Sequence, residues 1–397
     1  MPRDHGPLRS TGFLLAFALA NAGGVLTYLP LLTLLLPLKV EAMSGAGRVI
    51  ALSRILIGGA IAASLGNILA GMVVDRSYAH GGGRRRWMVV GIVLTCLAFG
   101  LILRAKTTDA LMVAVLAFQL AINVLLSPVT VLMVDEVPDE QKGLAGGLLA
   151  LGQPIAMLAG VGLVSAYEAG EALAYLATCA GVGLLTLPLL CTRPRPASWR
   201  VSSQPTMKAG DLVWVGLSRL LLLTANSLLA GVLVYYFETL SSQVTPGMVA
   251  RRVGVISMLA CAAAVPVAVG VGALPIHGVT RKRVIAVAAL AAGVAIAVLG
   301  LADRWQVAAL GYGLFVCMVQ VYSSQHSAMV AQALRSTRHR ARDLGLQNLA
   351  NTVPAILGPG LVLALYVQKD LHVLIWAMLT LVAGSVLSML MVRVRAS

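Results

Sequence analysis

Three short runs and a scatter of isolated polar residues carry the chemistry of this sequence. Gly71-x-x-x-Asp75-Arg76, followed by Arg84-Arg85-Arg86, sets one carboxylate among cations at the end of an apolar stretch. A carboxylate so placed can be held by guanidinium groups and a helix N-terminus. Ionic contacts at a bilayer edge are usually kept for a reason, whereas a plain basic loop would only fix topology. Asp135-x-x-Pro138-x-x-x-Lys142-Gly143 and Arg342-Asp343-x-Gly345 repeat the acid–base pattern at two further boundaries.

The isolated polar residues lie inside apolar stretches: Asn21 and Tyr28; Gln119, Asn123 and Ser127; Asn226; Gln320, Ser324 and His326; Asn348 and Asn351. Gln119, Asn123 and Ser127 are four apart and share one helix face. Groups of this kind either line a polar path or join helices by hydrogen bonds. Two lone cations add to them. Arg54 either snorkels or meets a solute, and Arg219 is expected to snorkel to the nearer surface. His326 is the deep group whose unperturbed pKa suits proton transfer. It is read either as a proton carrier or as a hydrogen-bonded structural residue.

Catalytic signatures do not occur. There is no Walker loop, HExxH or G-x-S-x-G, and no cluster with metal-ligand spacing. Cys96, Cys179, Cys191, Cys261 and Cys317 fall within or beside apolar stretches and read as small packing residues. No enzymatic activity, cofactor or metal is expected.

The elements that position these residues follow from composition. Of 397 residues, 59% are hydrophobic and 11% charged. A soluble chain carries about a quarter of its residues as charges, so this one cannot coat a water-facing surface. The excess charge of +15 would suggest nucleic acid in a soluble protein. Here the basic residues sit in short runs between apolar stretches, which marks cytoplasmic loops and excludes nucleic acid as a partner.

A span needs about 20 apolar residues. Twelve stretches qualify: 12–36, 49–74, 87–104, 110–134, 143–167, 172–191, 212–236, 253–276, 284–302, 306–333, 344–367 and 371–392. Prolines at 128, 154, 266 and 354 are expected to kink spans 4, 5, 8 and 11. With the N-terminus inside, inner segments hold 20 Lys and Arg against 8 in outer ones, so both termini are expected in the cytoplasm. The first 24 residues have the look of a cleavable signal, but the apolar run continues to Leu38 and reads as a first span. The polar stretch 192–211 is a cytoplasmic linker between two six-span bundles, 1–191 and 212–397.

The bundles share a pattern at an offset of about 200 residues: Lys142 to Pro154 against Arg342 to Pro354, Gln119 against Gln320, and RVIALS against RVGVIS. Two parallel six-span repeats are a transporter architecture, with the solute site at their interface.

On these residues the chain resembles the major facilitator superfamily. GMVVDRSYAHGGGRRR is similar to its loop 2–3 signature, G-x-x-x-D-R-x-G-R-R, with Ser77 to Gly83 inserted before Arg84. In the second half, GALPIHGVTRKR keeps Gly272 and the basic run, but His277 or Val279 stands where the acid would be. VDEVPDEQKG and RARDLGLQNLANTVP resemble the branch of glycoside–pentoside–hexuronide and sucrose-type permeases. Span 2 lacks the carboxylates with which that branch couples sodium.

The resemblance implies an all-α polytopic membrane protein with twelve transmembrane helices in two pseudo-symmetric bundles. It implies a latch formed by Gly71, Asp75, Arg76, Arg84 and Arg85. The expected activity is secondary active transport of a small organic solute by alternating access, extended to a sugar-like solute and a coupled proton. Multidrug or metabolite efflux and a non-transporting assembly factor or receptor remain the alternatives. The expected setting is a bacterial inner membrane, with lipid as the surrounding partner and the chain a monomer.

Overall fold

The computed structural model describes residues 8–44, 48–80, 83–194, 209–240, 246–276, 278–333, 347, 349–365 and 371–393. Every regular element among them is a helix. Lipid offers no hydrogen-bond partner to a backbone, so a spanning segment must satisfy its own amides and carbonyls.

The elements are α1 (Thr11–Pro30), a π turn (Leu31–Leu35), α2 (Leu36–Ser44), α3 (Arg48–Ala79), α4 (Arg84–Arg104), α5 (Thr108–Glu136), α6 (Asp139–Leu149) and α7 (Gly152–Ala169). They continue with α8 (Glu171–Leu190), α9 (Ala209–Thr239), α10 (Pro246–Ala273), α11 (Gly278–Gly300), α12 (Trp305–Ala333), α13 (Pro354–Leu365) and α14 (Leu371–Met391). Eleven helical stretches among the described residues are long and apolar enough to cross a membrane, and Leu349–Val362 forms a shorter apolar helix. Together they follow the twelve runs read from the sequence, and the fold is all-α and polytopic.

Local chemistry sets several boundaries. Ser10 caps α1 by accepting a hydrogen bond from Phe13 N at 3.3 Å, and Thr107 caps α5 through Ala110 N at 3.2 Å. The prolines act unequally. Pro30 ends α1 and the π turn follows it. Pro154 would clash with the carbonyl four residues earlier, and the helix breaks there, at Ala150 and Leu151. Pro354 opens α13 after a turn at Val353. Pro128 and Pro266, by contrast, lie inside unbroken α5 and α10.

The described residues fall into two compact units. The first holds α1 to α5, α7 and α8. In it α1 packs on α7 and α8, and α5 packs on α3 and α4. Lys39 pairs with Glu171, which also accepts a hydrogen bond from Tyr175 Oη at 2.9 Å. The second unit holds α6 and α9 to α14. There α9 packs on α13 and α14, while α12 packs on α6, α10 and α11.

Small residues let these helices approach closely. A Cβ on Gly91 of α4 would lie 2.6 Å from Leu125 Cα of α5. In α6, a Cβ on Gly143, Gly146 or Gly147 would lie 2.5–2.6 Å from the carbonyl oxygens of Gly272, Ser324 and Ala268. Backbone meets backbone at these points, and no side-chain rotation can make room.

Gly91→Val is therefore expected to destabilise the protein by about 1–3 kcal/mol through overpacking. Gly100→Ala, where a Cβ meets nothing within 4 Å, should be neutral or stabilising by up to about 1 kcal/mol. Thermal unfolding of the detergent-purified proteins, followed by tryptophan fluorescence, measures both; equal melting temperatures would contradict the packing argument.

Candidate functional site

An ionic network closes one end of the first unit. Arg84 and Arg85 open α4, where three adjacent arginines oppose the helix dipole. Asp135 and Glu136 end α5, where acids are equally disfavoured. Bringing the two ends together cancels both costs. Arg84 donates through Nε to Asp135 Oδ2 at 2.6 Å and through Nη1 to Asp75 Oδ1 of α3 at 3.3 Å. Its guanidinium also covers the Tyr78 ring at 4.3 Å. The predicted loop 2–3 and loop 4–5 acids thus share one cation.

Glu136 is the second centre of this network. Arg85 grips it bidentately at 2.6 and 3.0 Å and also donates to Thr192 Oγ1 at 2.9 Å and to Leu189 O at 3.3 Å, at the end of α8. Arg9 pairs with the same carboxylate, donates to the Glu136 carbonyl at 3.3 Å, and lies over the Phe13 ring at 4.2 Å. One buried acid therefore ties the segment before α1 to α4, α5 and α8. Arg76 is exposed, with its carbonyl 2.7 Å from His80 Nδ1. Gly71 is buried one turn before Asp75.

The loop 4–5 run divides after Pro138, which is buried at the edge of the first unit. Lys142 and Gly143 belong to the second. Lys142 is fully buried; its Nζ donates to Ala331 O in the last turn of α12 at 3.0 Å and pairs with Asp139 at 2.9 Å. A cation suits that helix end, where carbonyls lack partners. Arg281, also buried, donates to Ile276 O at 2.7 Å. Arg342, Asp343, Gly345 and Asn348 lie outside the described residues, as does His277.

The intramembrane polar residues of the first unit are largely committed to neighbours. Asn67 of α3 donates to Asn123 Oδ1 at 2.8 Å, and Asn123 donates back to Gln119 O at 2.8 Å. The Gln119–Asn123–Ser127 stripe is buried, and Gln119 lies against Gly59 of α3. Asn21 and Tyr28 are half-buried and Arg54 is exposed.

The second unit gathers its polar residues around Arg219. That guanidinium donates through Nε to Asn351 Oδ1 at 2.6 Å. Nη1 reaches His326 Nδ1 at 3.1 Å and Ser327 Oγ at 3.4 Å. The expected snorkelling does not occur. Arg219 lies ten residues into α9, about 15 Å along the axis, and its guanidinium turns to three acceptors on α12 and the stretch before α13.

His326 is fixed by its partners. Arginine only donates, so Nδ1 must accept; Nε2, 3.0 Å from Val215 O, must carry the proton. The imidazole is therefore neutral, and it stacks on Tyr322 with ring centroids 5.5 Å apart. Tyr322 Oη and Ser218 Oγ are 2.8 Å apart, and Ser385 donates to Ser218 O at 2.8 Å. Ser324 faces α6, with its Oγ 3.5 Å from Gly143 O. Asn226 and Gln320 are half-buried. No group of three His, Cys, Asp or Glu among the described residues is placed to hold a metal.

Sequence reasoning singled out Asp75, Arg84, Arg85 and Asp135 but not Glu136, Arg9 or Thr192. The adjacent acids of VDEVP were the available signal, since two carboxylates at a helix C-terminus demand cations.

Arg84→Gln removes the cation shared by Asp75 and Asp135, whose side chains are 13% and 4% exposed. A loss of about 3–5 kcal/mol is expected, with much of it recovered in the double variant carrying Asp135→Asn. Arg76→Gln, on an exposed residue, should stay within about 0.5 kcal/mol. Thermal unfolding of the wild type, Arg84→Gln, Asp135→Asn and the double variant forms the cycle; additive losses would show that Arg84 and Asp135 are not coupled.

Residues 11–359 match the Major Facilitator Superfamily. No curated protein is significantly similar in sequence. Among solved structures, the human organic anion transporter MFSD10 (TETRAN) is similar with a TM-score of 0.73 and 14% identity, over 96% of this chain and 100% of that one. A bacterial homologue of the iron transporter ferroportin gives 0.69 and 15%, over 96% and 99%. The Escherichia coli fucose:proton symporter FucP gives 0.64 and 13%, over 95% and 97%. At these identities the likeness shows the fold alone. The family match, extending over most of the sequence, carries more: this chain belongs to the Major Facilitator Superfamily, a family of membrane transporters.

Proposed function

We propose that the protein is a secondary active transporter of a small organic solute, working by alternating access. The observation that carries this reading is the Arg219–His326–Asn351 cluster. Ionisable and polar side chains inside membrane spans are costly and mark solute or ion paths by default.

The finer assignment rests on the signatures. The loop 4–5 and span 11 runs favour the glycoside–pentoside–hexuronide and sucrose-permease-like branch, and with it a sugar-like solute. The symporter FucP, similar in fold, carries fucose with a proton. His326 is the candidate proton carrier. In the arrangement described above it is neutral with both nitrogens engaged, so it must exchange partners to take up a proton. Asn21, Tyr28, Arg54, Gln119, Asn123, Asn226, Gln320, Ser324, Asn348 and Asn351 are the cavity candidates.

The Asp75–Arg84–Asp135 contact acts as the latch that stabilises one conformation of the cycle. The two six-span halves are residues 1–191 and 212–397, joined by 192–211. The protein sits as a monomer in a bacterial inner membrane with both termini in the cytoplasm.

Reconstitution in proteoliposomes tests the reading. Counterflow across a panel of sugars and organic acids should reveal saturable flux of at least one solute. Asp75→Asn should lower it by about tenfold or more, the scale of a conformational coupling of 1–3 kcal/mol. Arg104→Gln, on an exposed residue, should leave it within about twofold. No flux for any solute in the panel would favour a non-transporting assembly factor.

A further inference from the structure

We propose that Arg219, with Asn351 and His326, forms a binding site for the carboxylate of an organic anion. This deepens the transport reading and rests on it, for it names the chemical class of the solute.

The argument starts from charge. Arg219 is a permanent cation within a membrane span. Its hydrogen-bond partners are Asn351 Oδ1, Ser327 Oγ and the neutral Nδ1 of His326. These acceptors satisfy N–H groups but bring no negative charge. On its own helix the neighbouring acids are Asp211, eight residues earlier, and Glu238, nineteen later. Asp211 accepts a hydrogen bond from Arg393 N at 3.1 Å. The contrast with Arg84 is direct: that cation faces two carboxylates within 3.3 Å.

Geometry adds to this. A guanidinium carries five N–H donors in a planar fork. Nε and Nη1 of Arg219 are engaged, while Nη2 has no hydrogen bond among the described residues. The side chain is half-buried and Asn351 beside it is exposed, so the open edge can be reached. An oxyanion docking there gains charge-assisted hydrogen bonds from Nη2, and it supplies a countercharge that none of the hydrogen-bond partners of Arg219 among the described residues provides. His326, locked by Val215 O and stacked on Tyr322, holds the fork in register from behind.

A structural arginine tying three helices together would use the same contacts, so the test must separate ligand recognition from scaffolding. The full-length protein is placed in phosphatidylcholine nanodiscs, where no anionic lipid is present. Ligand-induced thermal shift is measured for three acid–amide pairs of graded size: lactate and lactamide, benzoate and benzamide, glucuronate and glucuronamide. In the wild type at least one acid should bind about tenfold or more tightly than its amide, the size of one charge-assisted interaction. Arg219→Gln should abolish that preference and Arg219→Lys restore part of it.

Asn351→Asp is the decisive variant if Arg219→Gln fails to fold. It places a carboxylate beside Nε as a built-in counter-anion, so the acid preference should collapse while the melting temperature holds or rises. Equal binding of acid and amide in every pair overturns the proposal. So does an acid preference that survives Arg219→Gln or Asn351→Asp. Binding is read here without turnover, so this outcome stands apart from the flux assay. Saturable flux of neutral sugars without acid preference would sink the anion site and leave transport standing.

Discussion

Hydrocarbon supplies neither hydrogen bonds nor countercharge, and that constraint shapes every polar feature of this protein. Backbone groups answer it by forming helices. Side chains answer it by finding partners, and the partners decide what a residue can do. Asn123 is spent between Asn67 and the Gln119 carbonyl. Lys142 is spent on the end of α12 and on Asp139. Asn123 is a cavity candidate in the sequence and Lys142 belongs to the loop 4–5 run; both are engaged by neighbours in this arrangement.

The ionic network of the first unit shows the same constraint used constructively. Three arginines at a helix N-terminus and two acids at a helix C-terminus are each unfavourable alone. Their juxtaposition turns two local penalties into one contact set that fixes the spacing of α3, α4, α5 and α8. Glu136 is central because it receives cations from two directions, Arg85 and Arg9. Such a network resists gradual deformation: its bidentate contacts hold in a narrow geometry or break. That property suits an element that stabilises one of two discrete states.

Much of this was legible in the sequence, and what was not has a physical explanation. Span positions follow from length and apolarity, which lipid enforces segment by segment, so among the described residues eleven of the runs reappear as helical stretches long enough to span and the run 344–367 as a shorter one. Asp75, Arg84 and Asp135 were readable because acids beside basic runs at span ends need partners. Their sharing of one cation was not, since it depends on how α3 and α5 pack. Pro154 marked a break, but the proline's clash falls four residues upstream, at Ala150. Snorkelling depends on distance to the surface, which the sequence shows, whereas Arg219 is held by its acceptors. The competing acceptors on α12 and at Asn351 are more than a hundred residues away in sequence and become neighbours only on folding.

Arg84 and Arg219 together show why residue type alone does not define a site. Both are arginines in an apolar protein, and both bridge several helices. Arg84 is neutralised by two carboxylates, through Nε and Nη1, so its contribution is to hold structure. Arg219 is solvated by an amide, a hydroxyl and a neutral imidazole, which orient it without cancelling its charge. Those partners lower the cost of keeping a cation in the membrane while preserving its long-range attraction for an anion. A carboxylate in place of Asn351 would serve folding better. The amide found there keeps the charge available, and this links the local hydrogen bonding of Arg219 to the kind of solute it can receive.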